Sequence, residues 1–167
     1  MISEQFLTEF DHEMATTRTV LELVRDEDAQ WQPHEKSFSM ANLAQHIANL
    51  PKWALLALKA TEYDMDPPEG SNDPPRTYES SSALLEEFDA NVQAARDAIE
   101  STSDEDFMVG WTLKSGGNEL FTQPRVGVLR SFVMNHIYHH RGQLTVYLRL
   151  RDIPLPMVYG PTADTST

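Results

Sequence analysis

The chain has 167 residues, 40% of them hydrophobic, enough for one domain that buries roughly 70% of its unfolded surface. It contains no cysteine, which excludes a thiol nucleophile, a thiolate metal site, an iron–sulfur cluster and a disulfide scaffold. Thirteen Lys and Arg against 26 Asp and Glu leave a formal charge of −13; such a chain repels phosphate backbones, so nucleic acid is not an expected partner.

In chain order, residues 3–28 read as the first helix, with Phe6, Phe10, Met14, Leu21 and Val24 recurring every three to four positions. It stops before Trp31-Gln32-Pro33. A second helix opens at Ser39, a good N-cap, and carries Leu43, Ile47 and Leu50 on one face. Pro51 is expected to kink it rather than end it. Residues 61–80, rich in Asp, Pro and Gly, are expected to form no regular element, and a loop that long is usually functional or disordered. A third helix follows, capped by Ser81 or Ser82, with Leu85, Phe88, Val92, Ala95 and Ile99 as its core stripe. Residues 111–122 suggest a small hairpin turning at Gly116-Gly117-Asn118. The last helix opens with Pro124 at its first position and runs to about Arg151. The expected fold is therefore all-α: one four-helix bundle over residues 1–167, with a small hairpin between helices 3 and 4. The first residues lack the basic-then-apolar pattern of a secretory signal, and no run reaches the ~18 apolar residues of a membrane span. A cytoplasmic protein with no membrane partner is expected.

The chemistry concentrates in His136-Ile137-Tyr138-His139-His140-Arg141-Gly142-Gln143. His136 and His140 lie about 40° apart on a helix, and two imidazoles at that spacing can reach one metal ion. A uniform helix puts them on the face of Leu129, Phe132, Val133 and Tyr147, pointing into the core. His46, on the apolar side of the second helix, points inward as well. One such histidine is ordinarily a hydrogen-bonded core residue; three with no inward carboxylate call for a cation. Ile137 occupies the position where zinc proteases carry their glutamate, which disfavours peptide hydrolysis of that type. Three neutral nitrogen donors suit zinc or nickel, with iron also acceptable, and leave a coordination position open for chemistry. Gln143, His139 and Arg141 are candidates to orient a ligand or contact a substrate. Against these stand plainer roles: boundary packing for His139 and an ion pair for Arg141. Gly142, mid-helix, suggests close approach of a helix or subunit. His12 and His34 are expected at the surface.

The stretch from Ser39 to His46, the His-x-x-x-His-Arg-Gly-Gln segment, Trp31-Gln32-Pro33 and the closing Tyr159-Gly160-Pro161-Thr162-Ala163-Asp164 together resemble the DinB family of the DinB/YfiT-like superfamily. The resemblance implies a four-helix bundle of up-down-down-up connectivity, commonly a homodimer. It also implies a divalent metal on His46, His136 and His140. Family relatives include metal-dependent transferases that use low-molecular-weight thiols such as bacillithiol or mycothiol, and a thiol-dependent maleylpyruvate isomerase. A small-molecule substrate and a thiol S-transferase-like reaction are thus expected. A hydrolase using activated water and a non-catalytic metal- or ligand-binding module are the alternatives.

Overall fold

A computed structural model describes residues 1–68, 70 and 77–165. The expected irregularity at 69 and 71–76 lies outside the described residues. Four long helical rods dominate: α1 (Ile2–Leu21), the pair α2 (Met40–Asn49) and α3 (Lys52–Lys59), α4 (Ser81–Glu100), and a final rod in three parts. That rod comprises α6 (Arg125–Val128), a π-helical stretch (Leu129–Asn135) and α7 (His136–Leu150). A short helix, α5 (Asp104–Phe107), follows α4. No helix among the described residues is long and apolar enough to cross a membrane.

The all-α expectation needs correction. Strands β1 (Glu62–Asp64), β2 (Gly110–Ser115) and β3 (Asn118–Pro124) form a small sheet in that order. The hairpin β2–β3 turns at Gly116 (φ 58°) and Gly117 (φ 78°), the paired positive φ angles that favour a tight two-residue turn. The third strand leaves no local signal in the Pro- and Asp-rich region because its stability is non-local. β1 pairs parallel with β2, Tyr63 opposite Leu113. Asp64 Oδ2 accepts the Gly117 N–H at 2.7 Å, tying β1 to the hairpin turn.

Local boundaries follow from backbone bonding. α1 ends at Leu21 rather than near Asp28; tight i−3 bonds close its last turn, and Arg25 is extended (φ −103°, ψ 140°). Ser39 caps α2, its Oγ accepting the Asn42 N–H at 3.2 Å. Leu50 and Pro51 keep helical angles, but the bonding interruption divides the expected single helix into α2 and α3. Ser80 caps α4, one residue ahead of the expected serines, its Oγ accepting the Ala83 N–H at 3.1 Å. Pro124 is the cap of α6 rather than its first residue. The core gathers Phe10, Met40, Ile47, Phe88, Ile99, Trp111 and Leu144, all fully buried.

The π-helical stretch has the largest consequence for the site. A π turn inserts one extra residue into a helix, so everything after it is rotated by about 100° against a uniform helix. In α7 the buried stripe is Ile137, Arg141, Leu144 and Leu148, while His136 and His140 are half-buried. The two imidazoles therefore flank the core instead of pointing into its centre, which corrects the expectation from uniform periodicity.

Candidate metal centre

His46 projects from the middle of α2, and His136 and His140 from the first two turns of α7, two rods packed against each other. All three side chains are half-buried, and one ligand nitrogen from each lies within 4.8 Å of the others. His46 Nε2 and His136 Nε2 face one another at 3.3 Å. The ring centroids are 4.6 to 5.0 Å apart across the trio. Among the described residues no Asp or Glu joins this group.

Burial disfavours the protonated form of all three rings. Burial, then the neighbouring His140 and His136, push the His46 pKa down to about 4. Burial likewise lowers His136, reinforced by His140 and opposed by a hydrogen bond to the Phe132 backbone. With Nε2 turned to His46, Nδ1 is the nitrogen left for that bond. His140 is lowered by burial, opposed by Gln143. Its Nδ1 lies 2.7 Å from Gln143 Oε1; an amide oxygen only accepts, so the proton sits on Nδ1 and Nε2 presents a lone pair.

These residues fit a divalent cation. A tetrahedral ion with metal–nitrogen bonds of ~2.0–2.1 Å holds its ligands roughly 3.3–3.4 Å apart. The His46–His136 pair already has that separation, and the remaining spacings are within reach of modest side-chain rotation. Two facing imidazole nitrogens need a proton or a cation between them, and a cation satisfies all three rings at once.

The other sequence candidates separate. Gln143 is exposed and orients His140. His139 is exposed, its ring 4.8 Å from that of His140, at the rim of the trio. Arg141 does not reach the site. It is 2% exposed and bonds Glu13 Oε2 at 2.7 Å and Thr17 Oγ1 at 3.1 Å on α1, with the Tyr159 hydroxyl also bound. A substrate role for Arg141 is thus replaced by the interhelical ion pair. Gly142 is exposed, and a Cβ there would meet nothing within 4 Å, so no close helix approach within the chain explains it. Tyr147 packs edge-on against Trp31 at 5.6 Å. Both His12 and His34 are exposed, as expected.

Sequence reasoning misses Phe38. Its ring is half exposed and lies 5.9 Å from His46 and 6.5 Å from His140. The connector folds back because Trp31 and Ala29 carbonyls accept the Met40 and Ala41 N–H groups at 2.8 and 3.0 Å. That pairing sets Phe38, directly ahead of the cap Ser39, over the rim of the trio. The only local signal is an aromatic in an otherwise polar connector.

A helical domain with three convergent histidines on two packed rods defines a class of candidate metal-dependent proteins. The model of the DinB superfamily matches residues 9–144, and the chain belongs to that family. It is 23% identical over 161 residues to the uncharacterized protein YrdA of Bacillus subtilis strain 168, covering 96% of this chain and 90% of that protein. Its fold is similar to that of a DinB-like protein from Bacillus cereus ATCC 10987, with TM-score 0.71, 22% identity and coverage of 93% of this chain and 97% of that one. A DinB-like protein of Bacillus subtilis, YjoA, has TM-score 0.69 and 19% identity, with 92% and 97% covered.

Proposed function

We propose that the chain is a metal-dependent enzyme that transfers a low-molecular-weight thiol to an electrophilic small molecule, with His46, His136 and His140 as ligands of a divalent zinc, nickel or iron. The observation that carries this reading is the trio itself: three neutral, half-buried imidazoles within 4.8 Å, with no carboxylate among them in the described residues. A bound divalent cation supplies a lowered pKa for a coordinated thiol or water, which is then deprotonated near neutral pH.

The protein's own groups supply orientation and a dry boundary. Gln143 and the Phe132 backbone hold two of the rings with their Nε2 lone pairs facing inward, the kind of outer support that fixes metal ligands. Phe38 offers an exposed apolar surface against which a thiol chain or electrophile can pack while water is excluded from one side. The absence of a carboxylate beside the trio in the described residues favours a nucleophile that is ionised on binding over one that needs a separate base.

The scaffold reading includes up-down-down-up connectivity and a homodimer. The outward side of α7, where Gly142 is open and Val146 and Leu150 are 58% and 56% exposed, is the surface proposed for pairing. Sedimentation of the purified protein tests the dimer. The activity is tested by loading the untagged protein with zinc or nickel and measuring loss of thiol and of electrophile across a panel of both. Metal- and thiol-dependent conjugation that disappears in His46→Ala supports the reading. Metal binding without conjugation overturns the transferase, and turnover without added thiol replaces it with a hydrolase.

A further inference from the structure

A second polar site lies at the other end of the last rod, and it rests on none of the histidines. Every other described arginine lies within ion-pair distance of a carboxylate. Arg125 does not, although it is only 9% exposed. Its protein acceptors are two backbone carbonyls, Ala60 O at 2.9 Å and Asp106 O at a long 3.5 Å, and its Nε is buried with no partner. A buried guanidinium that meets no anion is costly.

Arg125 forms part of the wall of a cavity of about 260 Å³, lined also by Leu58, Lys59, Ser101, Thr102 and Asp106. Lys59 is exposed and has no carboxylate partner among the described residues. The lining therefore carries two cations, inside a chain whose net charge is −13. Other lining groups only accept. Ser101 and Thr102 spend their hydroxyl protons on the Asp97 and Ala98 carbonyls at 2.9 and 2.6 Å, leaving lone pairs. These two residues follow the C-terminus of α4, whose last turn carries no basic side chain to offset the helix dipole. Asp106 also lines the cavity, and its Oδ2 accepts from Ser103 Oγ at 2.8 Å, leaving further lone pairs on the carboxylate.

A small ligand complementary to both kinds of group carries an anion and a charged donor close together. We propose that this cavity binds a small α-amino acid, its carboxylate against Arg125 and Lys59 and its ammonium against Ser101, Thr102 and Asp106. The fork of a guanidinium matches a carboxylate, which a single backbone carbonyl cannot do. The volume falls just below the ~300–1,000 Å³ of drug-sized pockets, in keeping with a ligand of a few heavy atoms. Helical rise separates Arg125 from His136 by roughly 16 Å, so the two sites are distinct.

The test is a titration of the full-length, isotope-labelled protein with L-alanine, followed by the amide resonances of Lys59, Thr102 and Asp106 and the Nε–H resonance of Arg125. Acetate and methylammonium, each carrying half of the ligand, serve as comparisons. The expected result is saturable shifts at those positions in the millimolar range, with both half-ligands weaker. Lys59→Glu, at an exposed position that leaves the fold intact, weakens binding by about fivefold or more. No saturable shift at these groups, alanine binding no tighter than acetate, or an unchanged affinity in Lys59→Glu would each overturn the proposal.

Discussion

His140 and Arg141 are neighbours in the chain, yet the two sides of α7 handle buried polarity in opposite ways. On the Arg141 side the charge is fully compensated. Glu13, Thr17 and the Tyr159 hydroxyl all bond the guanidinium, and the Tyr138 and Tyr159 rings lie 5.5 and 5.2 Å from it. On the His140 side three rings are crowded together, their pKa values lowered by burial, with no anion beside them in the described residues. A closed network locks α7 against α1; an open, uncharged one is poised to accept a cation. The contrast separates the group that fixes the helix from the groups that do chemistry.

The largest expected effect breaks the closed side. Arg141→Met strands the Glu13 carboxylate, whose side chain is 8% exposed, and is expected to cost about 3–5 kcal/mol in urea unfolding. Adding Glu13→Leu should recover most of that loss. On the open side, His46→Ala is expected to lower metal affinity by more than ~100-fold while metal-free stability changes little, as read by competition with a chelating dye alongside unfolding. Gln143→Ala removes only the orienting bond to His140 and should weaken the metal by about 10–100-fold. The same dye assay ranks it against His46→Ala, and equal losses would make Gln143 more than an orienting group.

Acid provides a gentler probe of the same contrast. A folded-state pKa below the unfolded one means that the unfolded chain binds more protons between the two values, so stability falls as pH falls. For His46 that window runs from 6.5 down to about 4. Metal-free protein should therefore lose stability over that range, and His46→Ala should flatten the slope in unfolding measured at stepped pH. The smallest effect belongs to Gly142. A methyl added at its Cα meets no atom within 4 Å, so Gly142→Ala should raise monomer stability by up to ~1 kcal/mol; a drop in stability together with loss of the dimer would mark this position as a subunit contact.

Much of the site is legible in the sequence because it rests on short-range rules. The i, i+4 spacing of His136 and His140 and the placement of His46 after the Ser39 cap depend on local helix geometry, and the structure does bring the three rings together. The orienting role open to Gln143 follows from its place on the face of His136, and the structure sets its amide on His140. The direction of the rings escapes the same rules, because uniform periodicity has no means of placing a π turn at Leu129–Asn135. Arg141 reads equally as a substrate group or an ion pair because its partner Glu13 lies on a distant helix.

The amino-acid sequence by itself determined the four helical rods, the β2–β3 hairpin and the three convergent imidazoles, since caps, apolar rhythm and turn glycines act within a few residues. Only the tertiary structure decided that β1 joins the hairpin, that the imidazoles border the core, that Phe38 overhangs them and that Arg125 lacks a carboxylate. Each of those outcomes depends on which distant segments are packed side by side, and on the burial that packing imposes; neither quantity is encoded in any short window of residues.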